Sequence, residues 1–214
     1  DCLAICLIFG FVNPDHERRL RHALHEALPD LHISISSDVQ PEFREYERLS
    51  TTVLNTYLQP IMGSYLTEFE DQLTKLMPNA ELGINQSAGG LMTPARARQL
   101  PIRTALSGPA AGVVGAIDAA RSAGLANVIT LDMGGTSADV CLIRDLEAEV
   151  AYDRWIEGYP LRLASVDVNA VGAGGGSIAW FERDGLMKVG PQSAGAVPGP
   201  ACYGHGGTQD RKST

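Results

Sequence analysis

The sequence lacks the features of several protein classes. Its 214 residues hold 17 Lys and Arg against 25 Asp and Glu, so the net charge of −8 provides no basic surface that would attract nucleic acid. No apolar run is long enough to span a bilayer. The four cysteines form no C-x-x-C pair, and a Walker A loop and a G-x-S-x-G elbow are both absent. We therefore expect a cytoplasmic protein with buried free thiols and with neither a nucleic-acid nor a membrane partner.

The first part of the chain has the hydrophobic pattern of an α/β protein. An apolar run at residues 3–9, a helix opened by Asn13-Pro14 and an alternating segment at residues 32–36 predict a strand, a helix and a strand. Two amphipathic helices are predicted next, and Pro60 is expected to begin the second. The face of the first that is expected to enter the core comprises Phe43, Tyr46, Leu49, Val53, Leu54 and Tyr57. Because the chain opens inside a predicted strand, we expect it to be part of a longer protein.

The clearest chemical signal is the loop D-M-G-G-T-S-A-D, which runs from Asp132 to Asp139 between two predicted strands. Glycines without Cβ atoms let backbone N–H groups approach a phosphate, and successive N–H groups in a turn form an anion-binding nest. The candidate phosphate ligands are Gly134, Gly135, Thr136 and Ser137. A plain hairpin turn is the alternative, although an Asn-Gly or Asp-Gly pair would suffice for that.

The carboxylates that flank this loop are the candidate catalytic groups. Asp132 is expected at the end of a buried strand, where it could hold a hydrated Mg²⁺, an ion that usually takes only one or two carboxylates. Asp139 begins the returning strand. The alternative for each is an exposed or capping carboxylate without a chemical role.

Two further segments are rich in small residues. Gly174, Gly175 and Gly176 lie between apolar residues, so this run is not a flexible linker. It could pack flat against the ribose or base of a nucleotide, or mark a close backbone crossing, and the spacing does not distinguish the two. A predicted helix beginning at Ser107 carries glycines and alanines in place of large side chains, which favours a site where another backbone comes close.

Three segments resemble the hydantoinase A/5-oxoprolinase family in order and spacing. They are SGPAAGVVGA (Ser107–Ala116), DMGGTSADV (Asp132–Val140) and VGAGGGSIA (Val171–Ala179), and the likeness extends over nearly the whole chain. The resemblance implies an α/β fold of the actin/Hsp70-like ATPase type (ASKHA, ribonuclease H-like), incomplete at both ends. Residues 1–48 would be the C-terminal part of the family's N-terminal domain, and residues 49–214 the truncated core of the hydantoinase A domain.

The resemblance also implies a reaction. Family members open cyclic amides such as 5-oxoproline or a hydantoin by ATP-dependent phosphorylation of the amide oxygen, and related members activate ketones for carboxylation. ATP and Mg²⁺ are the implied cofactors, and a hydantoinase B-type subunit or domain is the implied partner within an oligomer. The family grips phosphates with two such hairpins. Only the second is present in this sequence, so the isolated chain is expected to be inactive.

The sequence departs from the family pattern at four places. Ala88 replaces a common Asn, Ala138 replaces a Thr, and Asn169-Ala170 replaces a common His-Thr pair. Residues 210–214 do not continue the family's usual sequence. Because the change at 169–170 could remove a metal or substrate ligand, a second hypothesis is a non-catalytic module that binds ATP or another subunit.

Overall fold

The computed structural model describes residues 1–156 and 158–208. They form two compact units, the first comprising Asp1–Ala111 with the described residues of Val150–Val166, and the second comprising Gly112–Glu149 with the described residues from Asp167 onward. The boundary expected after residue 48 stays a prediction, and residues 210–214 lie outside the described part of the chain. No helix in the described residues is long and apolar enough to cross a membrane.

The first unit begins with the predicted strand, helix and strand. Strands β1 (Cys2–Ile5) and β2 (His32–Ile35) pair in parallel, and helix α1 (Asp15–Ala27) connects them. The remaining elements are α2 (Ser36–Val39), α3 (Glu45–Leu76), β3 (Ile84–Asn85), β4 (Leu91–Met92), α4 (Pro94–Gln99), a 3₁₀ helix (Pro101–Thr104), and the hairpin of β8 (Val150–Ile156) with β9 (Tyr159–Val166). The fold is thus α/β, as predicted. Its main apolar cluster joins β9 to the 3₁₀ helix and includes Leu100, Ile102, Leu161 and Leu163.

Helix α3 differs from the sequence prediction in two ways. It is one continuous helix of 32 residues with Pro60 inside it, not two helices separated at that proline. The face expected to enter the core is mostly exposed, since Tyr46 and Tyr57 are 64% and 62% accessible to solvent. The hydrophobic pattern therefore identified the helix, but the expectation that its apolar face is buried was wrong.

The buried face of α3 is polar, and hydrogen bonds explain why it is stable there. Asn55 donates to the Ser34 hydroxyl of β2 at 3.0 Å and to the Gln99 carbonyl at 3.0 Å, and its own carbonyl accepts from Ile102 N–H. Thr51 accepts from the backbone N–H of Arg162 at 3.0 Å. Because Thr51 and Asn55 have these partners, their burial carries little desolvation penalty.

Replacing Pro60 with alanine should raise the stability of the chain. Proline has no N–H to donate to the carbonyl one turn earlier, and inside a helix it costs up to about 3 kcal/mol. Because α3 already continues through position 60, Pro60→Ala is expected to gain about 1–3 kcal/mol in urea-induced unfolding. The exposed Ser64→Ala, one turn later, is the matched control, with a gain under about 0.5 kcal/mol. An unchanged or lower stability for Pro60→Ala would contradict this account.

The second unit contains an antiparallel sheet with the strands β5 (Val128–Met133), β6 (Ala138–Arg144), β7 (Glu147–Ala148) and β10 (Asn169–Val171). The strand order is β10-β6-β5, and β7 also pairs with β6. A hairpin of β11 (Ser177–Phe181) and β12 (Met187–Ser193) follows, and then a 3₁₀ turn at Ala201–Tyr203. Helix α5 (Ser107–Ser122) begins in the first unit and continues into the second.

Three expectations about burial need correction. Strand β5 is not a buried strand, because Ile129 and Leu131 are 72% and 65% exposed. A Cβ added at Gly108 or Gly115 of α5 would meet nothing within 4 Å, so no other backbone lies against these glycines within the described residues. The four cysteines are free thiols, as predicted, but Cys2 and Cys202 are exposed.

Candidate functional site

The loop between β5 and β6 forms the predicted hairpin. The strands pair from Val128 with Ile143 to Met133 with Ala138, and the N–H of Gly134 donates to the Ser137 carbonyl at 2.9 Å, which closes the turn. Within the described residues, the N–H groups of Gly135, Thr136 and Ser137 have no hydrogen-bond acceptor. Three successive unpaired N–H groups at an exposed tip are available to an anion, and phosphate binding by this loop stays a prediction.

The two candidate carboxylates lie side by side on this hairpin. Asp132 is directly opposite Asp139 in the register, and Asp139 is in turn opposite Ala170 of β10. Directly opposed residues project from the same face of a sheet with Cβ atoms about 4.5–5.5 Å apart, and like charges in such a pair repel. A cation between the carboxylates would remove this repulsion, and a metal ion at Asp132 stays a prediction.

Helix α5 approaches the same carboxylate pair. A Cβ at Gly112 would lie 4.0 Å from Asp132 Oδ2, whereas no other atom lies within 4 Å of that position. In the described residues no group of three or more His, Cys, Asp or Glu could hold a metal by itself. Two carboxylates are sufficient for Mg²⁺, which keeps several waters and commonly shares its coordination with phosphate oxygens.

The glycine run packs against the hairpin tip by a close backbone crossing. Gly175 N–H donates to the Gly134 carbonyl at 2.8 Å, and Gly176 N–H donates to the Gly135 carbonyl at 2.8 Å. A Cβ at Gly174 would lie 2.5 Å from the carbonyl carbon of Gly135. Of the two alternatives left open by the sequence, the described structure contains the crossing, and a direct contact of Gly174, Gly175 and Gly176 with a nucleotide stays a prediction.

Tyr203 is a site residue that the sequence reasoning did not single out. Its hydroxyl would lie 3.0 Å from a Cβ added at Gly175 and 3.9 Å from one added at Gly135, so it stands beside the hairpin tip. The residue follows the tip by almost seventy positions, so no local spacing connects the two. A phenol at the edge of an anion nest can donate a hydrogen bond to a bound oxyanion.

Comparisons with known proteins identify the family of the chain. The profile of the Hydantoinase/oxoprolinase family matches residues 48–210. Over 207 residues the chain is 39% identical to caprolactamase subunit alpha of Pseudomonas jessenii, an alignment that covers 97% of this chain and 30% of that protein. It is 36% identical to the acetophenone carboxylase gamma subunit of Aromatoleum aromaticum, covering 97% and 29% of the two chains. The 5-oxoprolinase of Saccharomyces cerevisiae is 35% identical, with 96% and 16% covered.

The fold matches a solved relative as well. The crystal structure of the ATP-dependent caprolactamase from Pseudomonas jessenii superposes with a TM-score of 0.84 at 37% identity, covering 99% of this chain and 31% of that one. The chain therefore spans about a third or less of the length of these relatives.

Proposed function

The chain belongs to the hydantoinase/oxoprolinase family, and we propose that it is the second phosphate-binding segment of an ATP-dependent hydrolase that opens a cyclic amide. The observation that carries this proposal is the row of unpaired N–H groups at Gly135, Thr136 and Ser137, beside a pair of opposed carboxylates. We further propose that the complete enzyme has the actin/Hsp70-like ATPase fold and works in the cytoplasm, in keeping with its free thiols.

Each group in the site has a role in this proposal. The three N–H groups and the hydroxyls of Thr136 and Ser137 would hold phosphate oxygens, and Asp132 with Asp139 would hold Mg²⁺. Bound ATP would supply the phosphoryl group that makes the amide carbon susceptible to water. Since phosphoryl transfer depends mainly on positioning and charge stabilisation, a rigid hairpin with oriented N–H groups is suited to it.

Two of the relatives are described as subunits, and this supports a B-type partner and an oligomer. The caprolactamase relative is an alpha subunit and the acetophenone carboxylase relative is a gamma subunit. The outer face of α3 (Tyr46, Leu49, Val53 and Tyr57) is exposed and apolar, which is typical of a surface that another element covers.

Replacing Gly135 with valine should weaken nucleotide binding without unfolding the chain. A Cβ at Gly135 meets only the Tyr203 hydroxyl at 3.9 Å, so the hairpin can accept it, but the branched side chain would crowd the neighbouring N–H groups. With one phosphate hairpin the chain should bind Mg-ATP weakly and hydrolyse it negligibly, and Gly135→Val should raise the dissociation constant about tenfold or more in isothermal titration. Gly63→Val, at a glycine with nothing within 4 Å, is the control. If Gly135→Val and the unaltered chain had the same dissociation constant for Mg-ATP, the nucleotide would bind at another site.

The substrate is tested on the complete enzyme together with its B-type partner. If the proposal is correct, 5-oxoproline or a hydantoin stimulates release of ADP. Stimulation by a ketone with bicarbonate, and by no cyclic amide, would instead assign the protein to the carboxylase branch, to which the acetophenone carboxylase relative belongs.

A non-catalytic ATP-binding or subunit-interaction module is the second candidate. The supporting observation is the position of Ala170, which stands opposite Asp139 and completes a row of three residues across β5, β6 and β10. The methyl group of Ala170 cannot coordinate a metal ion or bond to a substrate, whereas the Thr expected from the family would add a hydroxyl beside the carboxylates. Turnover by the unaltered enzyme at an ordinary rate would reject this candidate, and activity gained only with Asn169→His and Ala170→Thr would support it.

A further inference from the structure

A separate cavity of about 320 Å³ lies within the first unit. Its walls come from the segment after α2, the turn after β3, the 3₁₀ helix and the β8–β9 hairpin. Polar side chains of Gln40, Gln86, Arg103 and Tyr152 line it together with the apolar Leu163. This volume lies in the range of small-molecule pockets, and a largely apolar wall with a few polar groups is their usual composition.

Arg103 is the feature of this cavity that the fold does not explain. Its Nε atom is buried without a hydrogen-bond partner, and its guanidinium has no ion pair among the described residues. Burial, together with the like charge of Arg96, lowers the pKa of the Arg103 guanidinium. The backbone is nevertheless fixed, since the Arg103 carbonyl accepts from both the N–H and the hydroxyl of Ser87 at 2.7 Å. The chain thus holds an uncompensated cation in place.

The other inward-facing arginines of this unit contrast with Arg103. The guanidinium of Arg48 donates to the carbonyls of Glu42 and Leu7, and that of Arg162 pairs with the carboxylates of Glu42 and Asp153. Glu42 also lines the cavity, but its carboxylate is already bonded to Arg162. The carboxylate in the cavity wall is therefore engaged by Arg162, and no ion pair in the described part of the chain includes Arg103.

Gln40 provides a second unused polar group. The residue is only 8% exposed, its backbone N–H and carbonyl are hydrogen-bonded, and its side-chain amide has no partner in the described part of the chain. Its amide atoms are not fully buried, so they are free to bond to a ligand in the cavity.

We propose that this cavity binds a small organic anion through its carboxylate, with Arg103 as counter-ion and the Gln40 amide as a second hydrogen-bonding group. A guanidinium presents a planar fork that matches a carboxylate in a bidentate pair. Arg103 is the cation in the cavity wall and balances one negative charge, which favours a monocarboxylate over a phosphate dianion. The site is independent of the proposed nucleotide site, because its residues belong to the other compact unit.

Two lactams that differ only in a carboxylate test the proposal on the 214-residue chain. 5-Oxoproline should bind in isothermal titration, and 2-pyrrolidone, which has the same ring without the carboxylate, should bind at least about tenfold more weakly. Acetate should compete with 5-oxoproline. Equal binding of the two lactams, no saturable binding of 5-oxoproline up to about 10 mM, or tighter binding of inorganic phosphate than of 5-oxoproline would overturn it.

Variants of Arg103 separate a binding role from a structural one. Arg103→Gln should weaken 5-oxoproline binding about 10–100-fold, since hydrogen bonds to charged groups are the stronger ones, and Arg103→Lys should retain part of it. The melting temperature without ligand should stay equal or rise, because an unpaired buried charge is removed. Arg19→Gln, on the exposed side of α1, should change neither quantity. A lower melting temperature with unchanged affinity in Arg103→Gln would show a structural residue and overturn the proposal.

Discussion

Gly174→Ala should disrupt the hairpin tip and abolish nucleotide binding by the chain. A Cβ at this position would lie 2.5 Å from the Gly135 carbonyl carbon and 2.6 Å from both the Gly135 oxygen and the Thr136 nitrogen. All three are backbone atoms, so no side chain can rotate away, and the crossing must separate. We expect a stability loss of about 3 kcal/mol or more and no measurable Mg-ATP binding, because the N–H groups of the nest would lose their arrangement.

The neighbouring Gly172 supplies a matched control for this prediction. A Cβ at Gly172 would meet nothing within 4 Å, so Gly172→Ala makes the same chemical change in the same run without the clash. Urea unfolding and isothermal titration of the two variants would give the comparison. If Gly174→Ala behaved like Gly172→Ala in both measurements, the close crossing between the glycine run and the hairpin tip would be wrong.

Residues with local constraints were predictable from the sequence. A strand, two glycines with hydroxyls and a returning strand admit few conformations, and the hairpin of β5 and β6 forms where the pattern placed it. The Asn13-Pro14 start and the alternation at residues 32–36 likewise identified α1 and β2. Their partners were not predictable from local pattern alone. The crossing of Gly174 against Gly135 joins residues about forty positions apart, and spacing gave two equal alternatives for it.

Helix α3 shows why a hydrophobic pattern can fail to predict which face of a helix is buried. Pattern reasoning assumes that the apolar face is buried, whereas here Arg48, Thr51, Thr52, Asn55 and Thr56 are buried in its place. The hydroxyls of Thr52 and Thr56 bond to carbonyls one turn earlier in the helix, whereas Thr51 and Asn55 bond to partners on β2, β9 and the 3₁₀ helix. No periodicity encodes such distant partners. The sequence analysis did not identify Arg103 and Gln40 as candidate binding residues. They are recognised only because their side chains lack a partner in the folded structure, and a sequence does not show this.

Arg48→Met should destabilise the first unit by about 3–5 kcal/mol, the usual cost of removing one member of a buried charged network. Arg48 is fully buried. Its Nε donates to the Ser36 hydroxyl at 3.1 Å, and that hydroxyl donates to Glu17 Oε1 at 2.6 Å. Methionine keeps the length of the chain but leaves the carbonyls of Leu7 and Glu42 without these donors. Arg19→Met, exposed on α1, should cost less than about 0.5 kcal/mol.

The same network makes a prediction about pH. Burial raises the pKa of Glu17, but hydrogen bonds from the Ser36 hydroxyl and from the N–H groups of Leu7 and Ser37 outweigh it, and the pKa in the folded chain is lowered. The stabilisation by Glu17 is therefore fully present above the unfolded pKa of about 4.3 and is lost as the pH falls through the folded value. Arg48 donates to the Ser36 hydroxyl that bonds Glu17, so in Arg48→Met the folded pKa of Glu17 should rise. The acid-dependent loss of stability should then be smaller and be complete at a higher pH. Urea unfolding at a series of pH values from neutral to acid would measure it. Parallel stability profiles for Arg48→Met and the unaltered chain would show that Arg48 does not act on the Glu17 carboxylate.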